Sequence, residues 1–89
     1  MPTVHLLIKG KVQGVFFRAT AHDIAAKLGL GGWVKNTEEG HVEATVSGTE
    51  QQLQEFIAWC RQGPPKAVVT GVLVEQRPDQ EFAKFTVLR

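Results

Sequence analysis

The apolar patterning of the chain predicts an α+β sandwich in which two helices cover one face of an antiparallel β-sheet. Three observations carry that prediction: segments of alternating apolar residues, two apolar stripes at helical spacing, and short connections that set them in the order β, α, β, β, α, β with a further C-terminal strand. At 89 residues the expectation is a single domain spanning 1–89. A chain of this length hides roughly 64% of its unfolded surface and folds to about 5,200 Å² of accessible surface, enough for one modest core.

From Thr3 to Val12 the residues Val4, Leu6, Ile8 and Val12 recur at period two, with Gly10 interrupting the pattern and His5, Lys9 and Lys11 opposite. That is a strand with one buried face. Beyond Gln13-Gly14-Val15, the residues Ala21, Ile24, Ala25 and Leu28 fall at i, i+3, i+4 and i+7, a helical stripe that Gly29 ends. Two strands follow: Gly32 to Thr37, holding Trp33 and Val34, and His41 to Ser47, alternating Val42, Ala44 and Val46 against polar residues. Thr37-Glu38-Glu39-Gly40 is the hairpin turn between them.

Thr49, with Gln52 three residues on, opens the second helix as a capping box, and Leu53, Phe56, Ile57 and Cys60 form its stripe. Gly63-Pro64-Pro65 stops it. Val68 to Gln76 and Phe82 to Leu88 read as the remaining strands, with Arg77-Pro78-Asp79-Gln80 as the turn between them. Two β-α-β units in this order belong to the ferredoxin-like type of sandwich.

Ten Lys plus Arg against nine Asp plus Glu leave a net charge of +1, which offers no long-range attraction to a polyanion. Nucleic acid is therefore not an expected partner, and any anion site must be local. The single cysteine, Cys60, can form neither an internal disulfide nor a multi-cysteine zinc site, which fits a reducing compartment. The start, Met1-Pro2-Thr3-Val4-His5, has no basic region ahead of an apolar stretch, and no apolar run reaches membrane-spanning length. A cytoplasmic location without a membrane partner is the expectation.

One segment breaks the local rules: Ile8-Lys9-Gly10-Lys11-Val12-Gln13-Gly14-Val15-Phe16-Phe17-Arg18 puts glycines and cations at a strand end and a helix start. A helix N-terminus carries partial positive charge and unpaired N–H groups, so Arg18 is unfavourable there unless an anion lies between. Gly10 and Gly14 permit backbone angles that let successive amides face inward, and Arg18 adds a planar two-pronged clamp. A plain turn with a solvated arginine accounts for the same spacing, and neither the Walker nor the dinucleotide glycine pattern is present. Both readings stand on the spacing alone.

Asn36 ends a strand just before the hairpin turn. Asparagine there is a turn former, and its amide also carries a donor and an acceptor able to hold and aim a water molecule.

These two segments carry a family resemblance. Gly10-Lys11-Val12-Gln13-Gly14-Val15-Phe16-Phe17-Arg18 resembles the first signature of the acylphosphatases. Gly32-Trp33-Val34-Lys35-Asn36, with Gly40, Val42 and Gly48 at the family's distances, resembles the second. The likeness extends over nearly the whole chain. It implies a ferredoxin-like fold and hydrolysis of the carboxyl–phosphate bond of small acyl phosphates, without metal or cofactor. It further implies that Arg18 binds the phosphate with the backbone amides of Gln13, Gly14, Val15, Phe16 and Phe17, and that Asn36 positions the attacking water. Related domains also occur within larger proteins that handle carbamoyl groups, and the span from Met1 to Arg89 is shorter than such an assembly. Gly31, which doubles the glycine before Trp33, is a departure outside the residues that carry the activity.

So sparse a site suits such a substrate. The leaving carboxylate has a conjugate acid of pKa roughly 4 to 5, so no general acid is required. Phosphoryl transfer then asks mainly for positioning and charge stabilisation. The expected mechanism is in-line attack by a water held on Asn36, with a phosphate oxygen taking the proton.

Structural readings cover the rest: Cys60 in the core, His5, His22 and His41 facing solvent, Phe16 and Phe17 anchoring loop and helix to the core, and Trp33 beside the sheet. The competing function is a noncatalytic module that binds a small phosphate or carboxylate. An RNA-binding domain is opposed by the charge balance and the lack of an RNP1-type aromatic pattern, and a metal carrier by the lack of a Cys-x-x-Cys pair. A monomer is expected, since the two helices and the sheet face leave no apolar stripe unassigned.

Overall fold

The computed structural model describes residues 1–89. The N-terminal alternation forms β1 (Thr3–Lys11), with Leu6 and Ile8 buried and Lys11 exposed. The loop after it leads into α1 (Phe17–Leu28), which buries Phe17, Ala21 and Ala25. Gly29 closes this helix at φ 77°, and Leu30 N donates back to the Ala25 carbonyl at 2.9 Å. The next pair, β2 (Gly31–Asn36) and β3 (Val42–Ser47), is joined by a turn in which Gly40 N donates to the Thr37 carbonyl at 3.2 Å.

The capping box forms as its spacing required, with Gln52 N donating to Thr49 Oγ1 at 3.2 Å and Thr49 N to Gln52 Oε1 at 2.8 Å. It opens α2 (Glu50–Gln62), whose buried residues are Leu53, Phe56 and Cys60. The chain ends with β4 (Val68–Arg77) and the short β5 (Phe85–Val87).

The strands lie in the order β4-β1-β3-β2-β5. Four of them pair antiparallel, in registers such as Leu6↔Ala44, Leu6↔Val74 and Val34↔Ala44. Val4, Leu6, Ile8, Val34, Val42, Ala44 and Val46 therefore point to one face and meet the helix stripes in a single core. The accessible surface, 5305 Å², is what that core size requires. The architecture is the expected ferredoxin-like α+β fold.

The sheet departs from a purely antiparallel one at its last strand, because β5 pairs parallel with β2 (Gly32↔Phe85, Val34↔Val87). The expected turn over Arg77 to Gln80 does not join neighbouring strands, since β4 and β5 lie on opposite edges. The connection instead crosses the end of the sheet, held where Gln80 N donates to Thr3 Oγ1 at 2.9 Å and Gly32 N to the Lys84 carbonyl at 3.2 Å. Gly31 has its reason here: a Cβ at that position would stand 2.8 Å from Cβ and the carbonyl oxygen of Phe82. Only glycine lets the crossing segment lie so close.

Three further expectations are corrected. His5 does not face solvent: Nδ1 lies 2.9 Å from Thr45 Oγ1, Nε2 lies 3.2 Å from Glu43 Oε2, and the ring meets Trp33 edge to face. The His41 ring is also turned inward, with Nδ1 buried and unpartnered, whereas His22 stays on the surface beside Asp23. Edge strand β4 leaves Val68, Leu73 and Val74 exposed, so some apolar surface does remain outside the core.

Candidate active site

The β1–α1 connection is built on backbone angles that few residues accept. Gly14 has φ 74°, and Phe16, at the N-cap of α1, has φ 64° with no side-chain cap. No acidic residue occupies the first turn of α1. No backbone carbonyl accepts from the N–H groups of residues 14 to 19, and the first intrahelical bond is Thr20 N to the Phe16 carbonyl at 3.0 Å. A run of donors at the positive end of a helix, with neither cap nor carboxylate, favours an anion.

The same residues line one cleft of about 760 Å³: Gly14, Phe16, Phe17 and Arg18 from the loop and α1, and Asn36 from the end of β2. The sequence had placed Arg18 and Asn36 in separate segments; the sheet brings them to a common wall. Val12, Ala19, Val87 and Arg89 also line it, and no Asp or Glu side chain belongs to it. The lining thus brings the arginines Arg18 and Arg89 together with no acidic side chain among them, which favours an anion such as a phosphate.

Gln13 and Val15 do not line the cleft. Val15 is buried in the core and fastens the loop from below. Gln13 works through its side chain: Nε2 donates to the carbonyls of Thr37 at 2.9 Å and His41 at 2.8 Å, which locks the loop to the β2–β3 turn beside Asn36. Gly10 also lies apart. With φ 122°, at the register shift between β1 and β4, it serves the sheet, because a Cβ would collide with the Val68 carbonyl.

Phe17 anchors as expected, its ring 5.1 Å from that of Trp59 on α2. Phe16 does not: 79% of it is exposed. The left-handed N-cap turns the ring away from the core that its neighbours Val15 and Phe17 enter.

The C-terminal segment contributes what the sequence did not announce. Leu88 N donates to the Val34 carbonyl at 2.8 Å, and the Leu88 carbonyl accepts from Arg18 Nη1 at 3.1 Å. The remaining guanidinium N–H groups stay available to a ligand. Only the docking of β5 on β2 brings Val87, Leu88 and Arg89 here, and no local motif encodes it.

Cys60 is buried in the core on α2, and burial pushes its thiol well above the ordinary range. It is a packing residue. No three His, Cys, Asp or Glu side chains converge as a metal site.

The family model for acylphosphatase matches residues 4–87. An acylphosphatase of Methylococcus capsulatus is 48% identical over 90 residues, covering 100% of this chain and 98% of its own. One of Gloeobacter violaceus is 45% identical over 85 residues, covering 96% and 91%. The crystal structure of acylphosphatase from Bacillus subtilis superposes with a TM-score of 0.96 at 34% identity, covering 100% of both chains. With the fold, the family match and near full-length likeness in agreement, the chain belongs to the acylphosphatase family of acyl phosphate hydrolases.

Proposed function

We propose that the chain hydrolyses the carboxyl–phosphate bond of small acyl phosphates by direct attack of water on phosphorus. The phosphate rests on the uncapped amides of the loop and first turn of α1, clamped by Arg18. Asn36 holds the attacking water through its amide. The new P–O bond forms from the water as the bond from phosphorus to the acyl oxygen breaks. The carboxylate leaves with the bonding electron pair, and the water proton passes to a phosphoryl oxygen. Arg18 and the amides meet the charge on the phosphoryl oxygens, the main demand of such a transition state.

The observation that carries this reading is a single cleft uniting uncapped N–H groups, Arg18 and Asn36, with no Asp or Glu side chain among its walls. The leaving group needs no acid, and the route uses no metal or cofactor. The partner is the small-molecule substrate alone. A net charge of +1 supports the exclusion of nucleic acid, and no helix is long and apolar enough to cross a membrane. A cytoplasmic setting and a monomeric state belong to the same reading, the former supported by the single buried thiol.

The test is phosphate release from benzoyl phosphate by EDTA-treated protein, with a phosphate monoester and Arg18→Ala as controls. Release specific to the anhydride and lost in the variant is expected. Phosphate binding by the folded protein with no release would instead make it a noncatalytic phosphate-binding module.

A further inference from the structure

Phe16 combines two features that a protein rarely gives to one aromatic residue. Its backbone is the only non-glycine position with positive φ, at 64°, in a region that bulky side chains seldom enter. Its side chain is 79% exposed, the most open large apolar residue of the chain, between neighbours that are both buried. The arrangement is held firmly, since the Phe16 carbonyl accepts from Thr20 N at 3.0 Å and from Thr20 Oγ1 at 2.8 Å. Neither packing nor capping explains the ring, because it joins no core cluster and caps nothing.

Phe16 does line the cleft, together with Val87, which is 38% exposed. Buried Val12 and Phe17 belong to the same lining. The lining therefore combines two chemistries: the polar groups Arg18, Asn36 and the uncapped amides, and the exposed apolar residues Phe16 and Val87. Exposed apolar side chains clustered at a polar site are the usual mark of a ligand surface. An acyl phosphate combines the same two, an anionic head joined to an organic acyl group.

We infer that Phe16, backed by Val87, is a specificity-determining residue that receives the acyl group and favours flat apolar acyl groups, aromatic ones above all, over acetyl. This deepens the hydrolase reading and rests on it. A planar ring at a fixed backbone offers an aromatic acyl group a stacking face at little entropic cost. An acetyl group is too small to use it.

The test compares benzoyl phosphate with acetyl phosphate in the native sequence, Phe16→Leu and Phe16→Ala, all of which keep the backbone amide of residue 16. The benzoyl-to-acetyl ratio of kcat/KM should fall about fivefold to tenfold in Phe16→Ala, with the change in KM, and by less in Phe16→Leu. A ratio unchanged within about twofold overturns the assignment. Calorimetric binding of benzoylphosphonate and acetylphosphonate reads the same contact without turnover, and their affinity ratio should fall in parallel. Intact discrimination by the phosphonates with no hydrolysis of either phosphate would overturn the hydrolase reading and leave the Phe16 assignment standing. Normal hydrolysis with no effect of Phe16→Ala on either ratio would overturn Phe16 alone.

Discussion

Arg18 donates through Nη1 to the carbonyl of Leu88 at 3.1 Å, a bond between residues 70 positions apart. The arginine in the first turn of α1 is thus oriented by the last residues of the chain. Those residues are in turn seated by Leu88 N on the Val34 carbonyl and by the close passage of Phe82 over Gly31. Side-chain pre-orientation of this kind lowers the entropy lost when a ligand is clamped.

Gly31→Ala should disturb that seating from a distance. The added methyl would meet Phe82 at 2.8 Å, so the crossing segment must shift. A stability loss of about 1–3 kcal/mol is expected by urea denaturation. A fall in kcat/KM of about threefold to tenfold should accompany it, because Arg18 loses a fixed partner. Unchanged kinetics in a destabilised variant would separate the C-terminal segment from the site.

Asn36→Ala should act chiefly on kcat. The substitution removes the amide proposed to aim the water and leaves Arg18 and the loop amides in place, so phosphate affinity should persist. A loss of about a hundredfold in kcat with little change in KM is the expected steady-state result. Loss of affinity alone would assign Asn36 to binding instead.

Gln13→Leu retains bulk and removes the donor shared by the Thr37 and His41 carbonyls. Stability should drop by about 1–2 kcal/mol. The loop and the β2–β3 turn should then move independently, which hydrogen exchange at residues 13 to 16 and 37 to 41 would report as faster opening.

Cys60 gives the pH prediction. Burial raises its thiol, so above the ordinary thiol value of 9.0 the unfolded chain releases a proton that the folded chain keeps. Folding stability therefore falls as pH rises, by about 1.4 kcal/mol per pH unit from this group. The stability advantage over Cys60→Ala should shrink accordingly above pH 9.0, measured by denaturation of both proteins. Native protein should also resist iodoacetamide, and protein unfolded in urea should react.

Arg18 and the loop before it stood out in the sequence by local rules that left a plain turn open, and Asn36 stood out by its place before a hairpin turn. The family resemblance of the two segments supplied their roles as expectations. A strand end, a glycine turn and an uncapped helix start must occur within a few residues of one another, so their chemistry is written in consecutive letters. The capping box of Thr49 and Gln52 and the stripes of both helices were legible for the same reason: periodicity and capping are properties of short windows. The histidines were not. A ring such as His5 acquires its partners, Thr45 and Glu43, from a neighbouring strand some forty residues away.

By itself the sequence determined the order of elements, the face each one buries, and the pair of segments that carry the family resemblance. Tertiary structure alone decided three things: that β5 crosses to the far edge and pairs parallel with β2, that Leu88 thereby orients Arg18, and that Phe16 stands in solvent while Val15 and Phe17 are buried. The physical reason is shared. Strand alternation and helical period are encoded residue by residue, but the choice of a free sheet edge, and the direction a left-handed N-cap gives its side chain, depend on surfaces that exist only after the core has closed.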